Sequence, residues 1–176
     1  MVRTQDFHSC NRGSIPLRAT IFFVNKSSIY VINLPFHPFF VHFPIAFLFG
    51  ALIFHSVYLF KPNWISRVIS LWLVGLSTIF SIFASISGEK ELIKAGEKGY
   101  SSEILDLMKL HEIIGNIITW GSIVFFITWV YMFFNYKDDK RIDKLILAFL
   151  FLFVGLVFFT SYLGGTLVWI YGVGTP

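Results

Sequence analysis

Charged residues are scarce in this chain, and cysteine is almost absent. Lys, Arg, Asp and Glu make up 14% of the 176 residues, against about a quarter in soluble domains, which is too few to cover a globular surface. A single cysteine, Cys10, excludes disulfide frameworks, thiolate metal clusters and the paired-cysteine attachment of a c-type haem. Any haem would therefore have to be held non-covalently.

Catalytic signatures are also missing. The sequence contains no phosphate-binding loop, nucleophile elbow or zinc-protease motif, and no nucleophile–base arrangement, so it favours a protein that is not an enzyme by itself. The net charge of +4 is modest and spread between apolar runs, which argues against a nucleic-acid partner.

Apolar runs are what the chain has in excess, with 56% hydrophobic residues and 22 Phe. A helix needs about 20 mostly apolar residues to cross a bilayer, and the uncharged stretches cover 27–60, 68–88, 113–136 and 145–176. The sequence therefore predicts an all-α membrane protein, an antiparallel bundle of four transmembrane helices near 38–60, 65–87, 104–135 and 143–170.

The amino-terminal region differs from the rest. Residues 1–33 are polar and mildly basic, with too short an apolar patch for a signal peptide, so we expect a disordered or poorly ordered tail before a transmembrane domain at 34–176. The connections 61–67 and 136–144 are basic, which places them in the cytoplasm of a bacterial inner membrane. Both termini and the more acidic connection 88–112 would then lie outside.

Two histidines lie at the start of the first predicted helix. Pro38 suits a first helical turn, whereas Pro44 lies inside the helix and frees a backbone carbonyl. His42, between them, lies about one turn into the membrane, where an ionisable residue indicates function unless it bonds the freed backbone. His37 either joins the site or precedes the helix.

The third predicted helix carries a second histidine. His111 shares one helical stripe with Met108 and Gly115, so it should point into the bundle, with Glu112 about 100° away. Ala46 and Gly115 each follow a histidine by four residues. They would leave room for a flat cofactor, although small residues also allow membrane helices to pack closely.

The end of the bundle opposite His37, His42 and His111 is predicted to have no functional site. His55 is interpreted as a histidine at the membrane interface. The Lys, Arg and Asp residues of the connections at that end are interpreted as charges that anchor the loops at the membrane surface. Because antiparallel helices bring their polar ends together, the first, third and fourth helices place their motifs at one membrane face. Those motifs contain His37, His42, His111, Glu112, Gly164 and Gly165.

Three segments in this order resemble the membrane protein family called domain of unknown function 2231. They are the run from His37 to Ala46, the pair His111-Glu112, and the glycine-rich end from Leu163 to Gly174. The resemblance covers roughly residues 34 to 174 and implies four membrane spans, often in the context of cytochrome-like proteins. Family members commonly carry histidine where Tyr162 and Tyr171 stand, so any ligand role of those histidines is lost here.

Three functions remain open at this point. A b-type haem between His42 and His111 would make the protein an electron-transfer subunit. Space beside the haem and a hydrogen-bonding group would be supplied by Ala46, Gly115, Tyr162, Gly164 and Gly165. Alternatively, the histidines fix helix register in a cofactor-free assembly subunit. As a third reading, a divalent metal, protons or a small solute would be handled by His37, His42, His111 and Glu112. The partners expected are the lipid bilayer and, depending on the function, a redox protein, other membrane subunits or further copies of the chain.

Overall fold

The part of the chain that the structure describes is a bundle of four long helices. The computed structural model describes residues 36–136 and 139–174, so the predicted tail at 1–33 lies outside the described residues. Each helix is long and apolar enough to cross a membrane, which confirms the predicted all-α membrane bundle. The helices are α1 (Phe36–Phe60), α2 (Trp64–Glu97), α3 (Ser102–Asn135) and α4 (Lys140–Trp169).

The helices form a closed ring in chain order. Helix α1 packs against α2 and α4, and α3 packs against α2 and α4, whereas the diagonal pairs α1–α3 and α2–α4 have no backbone approach within the described residues. Short connections make successive helices antiparallel. Side chains of α1 and α3 therefore face each other across the central axis.

Helix α2 runs ten residues beyond its predicted end. The predicted range 65–87 covers only the apolar part, and the Glu- and Lys-rich continuation to Glu97 is helical because these residues are good helix formers. The predicted outside connection 88–112 is thus mostly helix, with a tight turn between α2 and α3. Gly99 has φ of +73° in this turn, a conformation that glycine adopts without strain.

Side-chain hydrogen bonds cap the starts of α2 and α4. The Asn63 side chain accepts a hydrogen bond of 3.0 Å from the Ile65 N–H, and the Asp139 carboxylate accepts one of 2.8 Å from the Arg141 N–H. Both are N-cap interactions that satisfy otherwise free backbone donors. Both caps lie at the end of the bundle where α2 and α4 begin.

The bundle interior has an apolar part and a hydroxyl-lined part. Leu48, Val74, Trp129 and Leu150 are fully buried in the main core, while many phenylalanines point outward, as a lipid-facing surface allows. Between α2 and α3 the contact is made by small hydroxyl residues, which let membrane helices approach closely. These residues are Thr78, Ser81, Thr119 and Ser122. Ser77 contacts α1 instead, where its hydroxyl donates to the Pro44 carbonyl at 3.3 Å.

Candidate functional site

Two histidines meet across the diagonal at one end of the bundle. His37, in the first turn of α1, and His111, on α3, have ring centroids 6.1 Å apart and ring planes at 87°. We call this end, which contains His37 and His111, the histidine end. The opposite end, which contains Arg67 and Asp143, is the ion-pair end.

The ring of His37 rests on helix α2. Its Nδ1–H donates a hydrogen bond of 2.9 Å to the Ala84 carbonyl, and the Ser87 hydroxyl lies 3.3 Å from the same nitrogen. One turn beyond Ala84, a Cβ at Gly88 would come within 2.9 Å of His37 Cε1. A side chain at Gly88 would therefore displace the ring.

The ring of His111 rests on helix α4 in the same way. Its Nδ1–H donates a 3.0 Å hydrogen bond to the Thr160 carbonyl, and a Cβ at Gly164 would come within 3.1 Å of His111 Cε1. Each histidine thus contacts a carbonyl at one position and a glycine four residues later. With the proton on Nδ1, each Nε2 keeps a lone pair for a ligand.

A cavity of about 500 Å³ surrounds this pair. Its wall includes Gly115 and Gly165, where a Cβ would meet nothing within 4 Å, so these two glycines border open space. The half-buried Glu112 also lines it. Deeper in the bundle the wall is apolar and includes Ile45, Ile118 and Val157. Toward the end of α2 the wall is charged and includes Glu91, Lys94 and Lys98.

The remaining predicted site residues lie farther from the pair. His42 is exposed, borders the cavity, and donates from Nδ1–H to the Pro38 carbonyl of its own helix. Ala46 is exposed and does not line the cavity. Tyr162 is 71% exposed on the outer face of α4. The residue that faces His111 is therefore His37, not His42.

A metal cage of the usual composition is not formed by the residues that the structure describes. Within 36–136 and 139–174, no group of three or more His, Cys, Asp or Glu side chains is placed to hold a metal ion. Structural and catalytic zinc sites use three or four protein ligands. The described geometry instead offers two imidazoles.

The ion-pair end holds a buried polar network. Arg67 Nη2 lies 3.4 Å from Asp143 Oδ1, with side chains only 8% and 2% exposed. The Tyr58 hydroxyl donates to Asp143 Oδ2 at 3.2 Å, and the His55 Nε2–H donates to the Asp143 carbonyl at 2.9 Å. The Arg67 guanidinium also lies 5.0 Å from the Phe133 ring centroid, so all four helices contribute to this network.

This network shows that the sequence-based interpretation of His55 and of the charges at this end is wrong. His55 is fully buried rather than interfacial, and Arg67 and Asp143 pair inside the bundle instead of anchoring loops. One sequence signal could have found His55, because it lies eighteen residues after His37. That spacing is about five helical turns, so both residues share one face of α1.

A family model for "Predicted membrane protein (DUF2231)" matches residues 33–176. The chain belongs to this family. No curated protein and no solved structure matches the chain. The family description says that its members are membrane proteins and names no activity. The function therefore has to be argued from the geometry of the two ends.

Proposed function

We propose that the histidine end binds a b-type haem through His37 and His111, and that the protein is an electron-transfer subunit of the membrane. The observation that carries this proposal is that the two imidazoles are held in the same way by neighbouring helices. Each Nδ1–H is bonded to a backbone carbonyl of a neighbouring helix, an arrangement that orients metal-ligating histidines and leaves Nε2 basic.

The residues present fit a haem. The ring centroids of His37 and His111 are 6.1 Å apart, close enough for both imidazoles to reach one metal atom at about 2 Å from each nitrogen. The cavity volume of about 500 Å³ is within the range of roughly 300–1,000 Å³ of small-molecule sites. Gly115 and Gly165 leave space beside the pair.

The protein's part in this function is binding and tuning. The two histidines would hold the haem iron through their Nε2 nitrogens, and the carbonyls of Ala84 and Thr160 would set ring orientation. Apolar side chains such as Ile118 and Val157 would limit water around the site. Haem bound there supplies one-electron redox chemistry.

Optical spectra of the purified protein test the proposal. After haem supplementation, the wild type should show b-type Soret and α bands in the reduced-minus-oxidised spectrum. His37→Gln and His111→Gln should each remove the bands of two-histidine ligation, because either change takes away one of the two imidazoles that would hold the iron. His42→Gln is the matched control and should keep them, since His42 bonds its own helix.

Two outcomes count against this assignment. A wild-type protein without b-type bands after supplementation removes the haem proposal altogether. Loss of the bands in His42→Gln together with their retention in His37→Gln would keep haem but assign His42 as the ligand. The three variants are matched in chemistry, so their comparison isolates position.

A cofactor-free structural role is the second candidate. It is favoured by the same hydrogen bonds, because the Nδ1 of His37 ties α1 to α2 and that of His111 ties α3 to α4. In this case His37→Gln and His111→Gln would lower thermal stability and the spectra would stay featureless. His42→Gln should then leave stability near that of the wild type.

We further propose that the ion-pair end faces the cytoplasm of a bacterial inner membrane. Arg67 is buried in its ion pair, so its charge does not act at the membrane surface. Lys61, Lys140, Arg141 and Lys144 remain exposed at that end, and positive charge in short loops favours the cytoplasmic side.

Cysteine labelling tests this orientation. In a Cys10→Ser background, Glu97→Cys at the histidine end should react with a membrane-impermeant maleimide in intact spheroplasts. Lys61→Cys at the ion-pair end should react only after lysis. Both positions are exposed, so accessibility within the fold does not bias the comparison, and the reverse pattern would invert the proposed orientation.

A further inference from the structure

The ion-pair end contains two buried rings that meet across the diagonal, and each ring carries a nitrogen without a hydrogen-bond partner among the described residues. His55 on α1 and Trp129 on α3 are both fully buried, at 0% exposure. Their ring centroids lie 5.2 Å apart with planes at 84°. Trp129 follows His111 by eighteen residues, as His55 follows His37, so the same faces of α1 and α3 meet again about five turns away.

Their hydrogen-bonding roles are complementary and unmet. Because the His55 Nε2–H donates to the Asp143 carbonyl, the Nδ1 of a neutral ring is an acceptor. Trp129 Nε1–H is a donor only. Neither nitrogen has a hydrogen-bond partner among the described residues, and Asp143 Oδ1 accepts no hydrogen bond although Arg67 Nη2 lies 3.4 Å from it.

Buried polar groups without a partner are rare in folded proteins, and an ordered water molecule commonly satisfies them. We propose that one bound water molecule joins α1 to α3 at the ion-pair end. Its oxygen accepts the Trp129 Nε1–H, one of its hydrogens is donated to His55 Nδ1, and the other is available for Asp143 Oδ1.

The chemistry of the surroundings favours water over an ion. A cation would face the indole N–H and the Arg67 guanidinium, and an anion would face the Asp143 carboxylate. A small neutral molecule that accepts one hydrogen bond and donates two matches the three unmet groups. With the water in place, a hydrogen-bond chain runs from Trp129 through His55 to Asp143.

Proton NMR of the full-length protein in lipid nanodiscs tests this site. The chain has five tryptophans, so Trp129→Phe assigns the Trp129 indole proton, and Trp120→Phe, at an exposed position of the same helix, is the assignment control. A cross-peak between that indole proton and a long-lived water is expected in the wild type. The measurement is repeated in Tyr58→Phe, where exchange relayed through the nearby hydroxyl is removed.

The outcomes are distinct. A water cross-peak that persists in Tyr58→Phe, with a downfield indole proton, supports the proposal. His55→Phe should then lose the cross-peak and shift the indole proton upfield. An upfield indole proton without a water cross-peak in the wild type overturns the proposal, because the N–H would then pack directly on the His55 ring. The wild-type spectrum decides even if His55→Phe fails to fold.

Discussion

Replacing Arg67 by Met is expected to lower the free energy of unfolding by about 3–5 kcal/mol, because the Asp143 carboxylate would remain buried without its cation. The side chain of Met fills much of the same space, so the effect comes mainly from charge. Asp143→Asn should have a similar effect, since it leaves a buried guanidinium. Reversible unfolding in mixed detergent micelles, followed by circular dichroism, measures both.

The double variant Arg67→Met/Asp143→Asn measures how strongly the two side chains depend on each other for stability. We expect it to be less destabilised than the sum of the single variants, because neither charge is left uncompensated. Additive losses would show that Arg67 and Asp143 act independently. Glu91→Gln is the control: Glu91 pairs with Lys94 at 2.9 Å in an exposed position, where such pairs contribute about 0–1 kcal/mol.

The buried ion pair also explains the limit of the sequence reasoning at this end. Four spans follow from hydropathy, because composition alone decides whether a helix can cross a bilayer. Arg67 and Asp143 lie where the apolar runs begin, and such flanking charges usually snorkel to the membrane surface. Only the packing of four helices reveals that these two point inward and pair. The same packing buries His55, which the sequence predicts to be interfacial.

At the histidine end, the choice between His37 and His42 depends on how α1 is rotated about its axis. The motif itself placed a histidine within the first turns of α1, and the stripe of His111 predicted correctly that this side chain points inward. His37 and His42 are five residues apart, roughly 140° around a helix. Neither periodicity nor hydropathy fixes that rotation, whereas Ala84 and Gly88 on α2 do.

The glycines that matter most are those on the neighbouring helices. Gly88 and Gly164 leave room for the rings of His37 and His111, whereas the sequence predicts that Ala46 and Gly115, four residues after a histidine, leave room for a cofactor. This difference shapes the second large prediction, because it separates two glycines in contact with imidazoles from two that border open cavity.

Substituting Gly88 or Gly164 by Leu should weaken haem binding at least tenfold, or about 1.4 kcal/mol. A Cβ at these positions would lie 2.9 Å or 3.1 Å from an imidazole carbon, and the longer side chain would push the ring off its carbonyl partner. Optical titration with haem measures the affinity. The unfolding free energy should also fall by about 1–3 kcal/mol from overpacking, which gives a readout without cofactor.

Gly115→Ala and Gly165→Ala, compared with Gly88→Ala and Gly164→Ala, are the matched controls for stability. A Cβ at Gly115 or Gly165 meets nothing within 4 Å, so these two variants should fold as the wild type does and keep its unfolding free energy. Equal losses of unfolding free energy in Gly88→Ala and Gly115→Ala would mean that the cavity tolerates no added volume anywhere, and that contact with His37 is not the reason. A stability loss in the Leu variants without any haem binding in the wild type would instead support the structural role of the two histidines.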